Sequence, residues 1–149
     1  MVTNRFITEE DYPILKASLE KDEYHSKTGL DFFLEPDTVC SVYEDENGPV
    51  LFVRGSFVGQ AIILDIQFLD NRNAKRNMRT MLEGFPRLAE LAKENGFTSF
   101  LFYTTQSLLK NFCIRRLGFE EHYTPELLVK YLQEVGPSKE TLDIPQEVC

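Results

Sequence analysis

The chain has 149 residues, 42% of them hydrophobic, with 16 basic against 24 acidic side chains and a net charge of −8. That size and apolar fraction supply one core, and two independent domains would each be short of one. The acidic surplus repels phosphate backbones and anionic lipid heads, so neither nucleic acid nor a membrane is an expected partner; it would attract a cationic substrate, and it is also how many soluble proteins stay dispersed.

Residues 5–7 predict a short first strand. Thr8 with Asp11 three residues on forms an acidic capping box that starts a helix, Pro13 falls in its first turns, and Ile14, Leu15 and Leu19 supply a buried stripe up to about Tyr24. Residues 24–28 are polar turn material, and 29–34 predict a second, short helix stopped by Pro36. The period then changes. Residues 38–43 and 50–53 are β-rich around Asn47-Gly48, which predicts a hairpin, with a break at 55–59. Residues 61–68 are first continuously apolar and then alternating, as expected of a central strand whose far end reaches a cleft.

From Met78, apolar residues recur at steps of three and four through Met81, Leu82, Phe85, Leu88 and Ala92, and Asn95-Gly96 closes the pattern. This predicts a long helix containing Pro86, followed by a buried strand at 99–103. Thr104 or Thr105 caps a further helix whose inner face is Leu108, Leu109, Phe112, Cys113 and Leu117. Residues 119–123 and 127–132 predict the last strands, and 134–149 a tail after a domain of residues 1–133. Cys40, Cys113 and Cys149 are too widely spaced for a disulfide framework or a metal knuckle, so no metal site is expected. With no apolar run behind a basic start and the most apolar stretch confined to 61–64, the expected location is cytoplasmic.

The order β-α-α-β-β-β-α-β-α-β-β, with Ala92-Lys93-Glu94-Asn95-Gly96-Phe97 and Arg115-Arg116-Leu117-Gly118-Phe119 at their relative spacing, resembles the GNAT superfamily of acetyl-CoA-dependent N-acetyltransferases over roughly residues 4 to 133. The resemblance implies an α/β domain with a six to seven-stranded mixed sheet flanked by helices. It also implies acetyl-CoA lodged where the strand ending at Phe68 diverges from the one ending at Tyr103, beside Ile66, Gln67 and Phe68. In the family a loop [QR]-x-x-G-x-[GA] after the central strand presents amides to the pyrophosphate. Here residues 70–81 contain no glycine. Counting back from Gly96 places the leading basic position on Arg76, with Arg79 and Met81 at the glycines; starting at Arg72 places Lys75 and Asn77 there.

The cluster Arg72, Lys75, Arg76 and Arg79 is then either a phosphate site or a solvated helix start, and the second is unfavourable because cations oppose the macrodipole there unless an anion is near. Ser107 and Asn111 on the next helix complete the cofactor contacts that the resemblance implies. The family's acid tyrosine and its asparagine fall on Ile114 and Ser107, and an isoleucine donates no proton. Cys113 beside it is expected to be packing. The proton-transfer candidates are Asp65, which a nearby basic group or hydroxyl equally well explains, and Tyr103. His25 lies where acceptors enter in the family, though a lone exposed histidine is usually without a role.

The expected function is direct transfer of an acetyl group to a small-molecule amine or a protein amino group. The alternatives are a GNAT-fold binding module that has lost catalysis, and homodimer assembly through the last strands or the tail.

Overall fold

The computed structural model describes residues 1–23, 29–122 and 124–132, with only the backbone for 124–126. His25 and the expected tail lie outside them. In chain order the elements are β1 (Thr3–Phe6), a 3-10 turn (Glu9–Asp11), α1 (Tyr12–Lys21), α2 (Leu30–Phe33), β2 (Val39–Asp45), β3 (Gly48–Val58), β4 (Ala61–Phe68), α3 (Ala74–Glu94), β5 (Ser99–Tyr103), α4 (Ser107–Arg116), β6 (Glu120–His122) and β7 (Thr124–Tyr131). Among the described residues seven strands form one sheet in the order β1-β2-β3-β4-β5-β7-β6. Among the described residues only the β4–β5 pairing is parallel, its crossover supplied by α3.

Side-chain alternation gives the sheet an apolar core on each face. Ile62, Leu64, Ile66 and Phe68 join Val53, Phe100 and Phe102 against Met81 and Phe85 of α3 and Leu109 and Cys113 of α4. On the opposite face Val42 and Phe52 pack with Leu15, Leu19 and Phe33 of α1 and α2. α3 packs closely on the sheet at Gly84, where a Cβ would sit 2.6 Å from two ring carbons of the buried Tyr43.

Three boundaries differ from expectation. The strand predicted at 50–53 extends to Val58 and turns at Gly59, whose φ of +59° suits glycine. Ser56 pairs with Ile63 and Phe57 with Ile62, so backbone pairing carries the strand past the Arg54-Gly55-Ser56 interruption. The long helix starts at Ala74, one turn before its apolar stripe, because Asn73 caps it by accepting from the Arg76 amide. The first helix opens as a 3-10 turn, with the Thr8 amide donating to Asp11 Oδ2 at 2.8 Å.

Candidate functional site

The parallel pairing of β4 with β5 stops at Leu64 and Phe102, yet β4 runs on through Phe68, still paired to β3. β5 ends one residue later at Tyr103 and the chain turns into α4. The two strands therefore part, and a cleft of about 290 Å³ opens between them. Its apolar lining is Ile66, Phe68, Phe102 and Leu109, and its polar lining comes from Asp22, Asp65, Thr104, Thr105 and Gln106, with Tyr103 at the side. Thr104 shapes the exit from β5, its hydroxyl accepting from the Gln106 amide at 3.2 Å.

A second hollow of about 250 Å³ lies between the C-terminal half of α3 and the sheet, around Val53, Leu64, Leu88 and Phe100. Its polar lining residues are Ser41 and Asn95, and none of its lining residues is charged, so it offers nothing to handle an ionic intermediate.

One wall of the cleft is acidic and anchored. Asp65 accepts from Arg54 at 3.1 Å, and that arginine also reaches Glu35 Oε1 at 2.6 Å, donates to the Phe32 carbonyl at 2.8 Å and lies 3.9 Å over the Phe32 ring. Arg54 is 6% exposed, so water does little to loosen the arrangement. Asp65 is thus both the partner of a basic group and a cleft carboxylate. Gln67, two residues on and fully buried, turns to α1, donating to Ser18 Oγ at 2.8 Å while Ser18 donates to the Phe68 carbonyl. It fixes the end of β4 and is not part of the cleft lining.

At the tip of α3 the three arginines have carboxylate partners. Asp45, the last residue of β2, accepts two hydrogen bonds from Arg76, at 2.7 and 2.8 Å, and Arg76 also donates to the Gly48 carbonyl. This fork holds the Asp45 carboxyl down at about 2, against an ordinary 3.8. Arg79 is held by Glu46 and by Glu83 one turn along α3. Arg72 is exposed, 3.7 Å from Asp70. The anion that makes basic residues tolerable at this helix start is the chain's own β2–β3 turn. Asn77 is buried and donates to the Asp70 carbonyl at 2.9 Å, closing the loop.

No family model matches the sequence, and no curated protein does. Solved structures do match. The chain superimposes on the PaiA N-acetyltransferase of Thermoplasma acidophilum, in complex with coenzyme A, with a TM-score of 0.65 at 12% identity over 88% of this chain and 99% of that one. An acetyltransferase of the GNAT family from Staphylococcus aureus gives 0.64 at 12% identity over 89% and 100%. The aminoglycoside acetyltransferase AAC(6')-Ib, in complex with coenzyme A, gives 0.66 at 14% identity over 88% and 95%. The chain has the GNAT fold.

Within that fold the expected site residues separate into groups. Asp65, Ile66, Phe68 and Tyr103 line the cleft together; Arg72, Arg76, Asn77 and Arg79 lie at the α3 tip. Since α3 begins at Ala74, the Arg72 alignment sets the loop across the β4–α3 turn, whereas the Arg76 alignment sets it inside the helix. Ser107 and Asn111 are exposed on α4 and outside the cleft lining, while Ile114 packs partly buried against the core. Cys113 is fully buried and its thiol is pushed up to about 12 by desolvation, which makes it packing. Asp22, Thr104, Thr105, Gln106 and Leu109 line the cleft without having been expected there. The threonines carried a capping signal, and nothing in the sequence marks Asp22.

Proposed function

We propose that the chain is an N-acyltransferase that moves an acetyl group from acetyl-CoA directly to an amine. The observation that carries the reading is the divergence of β4 and β5 over an anchored carboxylate. The cleft fits the thioester arm of the donor: apolar side chains flank it, and hydroxyl and amide groups at the start of α4 suit its polar links. The α3 tip does not fit the diphosphate equally well, so no step is assigned to it. When bound, the thioester supplies an activated carbonyl.

The rest falls to the chain. Asp65, held by Arg54, is a fixed negative charge that draws and orients an ammonium group. Asp22 adds to the same wall. Tyr103 is 62% exposed, and its hydroxyl is the donor we assign to the departing thiolate. Ile66 and Phe68 exclude water from the reacting carbonyl, and holding amine and thioester together supplies much of the rate. The acceptor class is a small-molecule amine, as the name of the aminoglycoside acetyltransferase has it, or a protein amino group.

The test is titration with acetyl-CoA, then turnover over an amine panel. Asp65→Asn is expected to lower kcat/KM by roughly tenfold or more with cationic acceptors. No binding at millimolar donor ends the enzyme reading. A second reading, a GNAT-fold binding module without catalysis, is favoured by the α3 tip, where capping side chains and carboxylates already meet the groups a diphosphate would use. Turnover above the uncatalysed rate, lost in Asp65→Asn, rules it out.

A further inference from the structure

Two amides and three arginines at the tip of α3 are already met by side chains of this chain, and this bears on what kind of thioester the cleft reads. A helix start holds a diphosphate through unpaired amides and through guanidinium groups with no other acid on them. Here Asp70 Oδ1 accepts from the Arg72 amide at 3.0 Å, and Asn73 Oδ1 from the Arg76 amide at 3.3 Å. Arg76 is forked onto Asp45, whose side chain is 2% exposed, and Arg79 is shared between Glu46 and Glu83. Arg72, Arg76 and Arg79 thereby each face at least one carboxylate, while Lys75 is exposed. An arriving diphosphate meets the Asp70 carboxylate in the loop and must compete for Arg76, whose side chain is 29% exposed, with the buried Asp45 carboxylate already forked onto it. The cleft between β4 and β5 carries Asp22 and Asp65 on one wall, but an uncharged thioester arm has no anion for them to repel, and Ile66, Phe68, Phe102 and Leu109 are apolar while Thr104, Thr105 and Gln106 are neutral.

Building on the transferase reading, we propose that the donor is recognised by its thioester arm alone, so that acyl-pantetheine thioesters without a nucleotide are donors as good as acetyl-CoA. The amine nitrogen forms the new C–N bond with its lone pair. The C–S bond breaks with its electrons on sulfur, and the proton released by the nitrogen is balanced by the one that completes the free thiol.

The experiment measures binding of acetyl-CoA, S-acetylpantetheine and adenosine 3′,5′-bisphosphate to the full chain by calorimetry, and transfer from both thioesters to one accepted amine. The two thioesters are expected to agree within about fivefold in Kd and in kcat/KM, with no saturable binding of the bisphosphate at millimolar concentration. A larger preference for acetyl-CoA, or saturable binding of the bisphosphate, overturns the proposal and leaves the transferase reading standing. If neither thioester binds, both fall. An Asp70→Asn, Asn73→Gly double variant opens the tip and is expected to tighten acetyl-CoA by about fivefold or more while S-acetylpantetheine stays unchanged. No gain for acetyl-CoA would mean that these side chains are not what closes the tip, and would also overturn the proposal.

Discussion

Gly84→Ala sets two effects of known size against each other. Alanine in a helix interior is favoured over glycine by about 0.5–1 kcal/mol, so on propensity alone the variant is more stable. The added methyl, however, would sit 2.6 Å from Cδ2 and Cε2 of Tyr43, a β2 ring only 1% exposed. Neither group is the free end of a flexible chain, and overpacking of this kind typically costs about 1–3 kcal/mol. The net expectation is destabilisation by about 1–2 kcal/mol, or a Tm lower by roughly 2–8 °C for a domain of this size. Circular dichroism melting and urea denaturation with an unchanged m-value measure it. In a Tyr43→Leu background the same glycine substitution is expected to become neutral or stabilising, since the opposing ring is gone. Melting of Gly84→Ala at or above the parent temperature would refute the reasoning. Tyr43 lies two residues before Asp45, so this contact also seats the β2–β3 turn on which Arg76 is held.

The Asp45–Arg76 pair predicts an acid limb. Asp45 is held at about 2 against an ordinary 3.8, so its contribution is present above the unfolded value and fades as pH falls from about 4 to 2. Asp45→Asn should be less stable than the parent at neutral pH by at most about 2 kcal/mol, with the gap closing across that window in denaturation curves; a pH-independent gap contradicts it. Arg54→Met removes the buried cation between Asp65 and Glu35, and because those carboxylates are 29% and 50% exposed, the expected loss is about 1–3 kcal/mol, below that for a fully buried pair. Unchanged urea stability would show that Asp65 is not held in this way. In a Cys149→Ser background, Cys40 and Cys113, whose thiols burial pushes up to about 12, should react with a thiol reagent only after unfolding. Cys113→Ala should leave any transfer rate within about twofold, and a tenfold loss would put a thiol into the chemistry.

The fold was legible because its signals are periodic and local. The stripe from Met81 to Ala92 and the alternation at the end of β4 are set by which residues face a core, and glycines at 59 and 96 stand where φ is positive. The ends of elements were less legible. Ser56-Phe57-Val58 continues a strand through pairing with residues 61–63, a fact of the neighbouring strand and not of its own composition. The cleft was half legible for the same reason. Asp65, Ile66, Phe68 and Tyr103 follow from a strand that runs past its partner, while Asp22 and Gln106 arrive from separate elements whose meeting no local pattern records.

The α3 tip was the least legible part. A run of four cations at a helix start fits either a ligand's phosphate or a solvated start. The structure supplies carboxylates from Asp45 and Glu46, 31 and 33 positions away from the arginines they hold. Charge along a chain therefore shows that a partner is required, and only the fold shows whether that partner is a ligand or another turn of the same molecule. Here Arg76 and Arg79 hold the β2–β3 turn, and a charge placed for chemistry lies instead at the cleft, where Arg54 fixes Asp65 beside the gap.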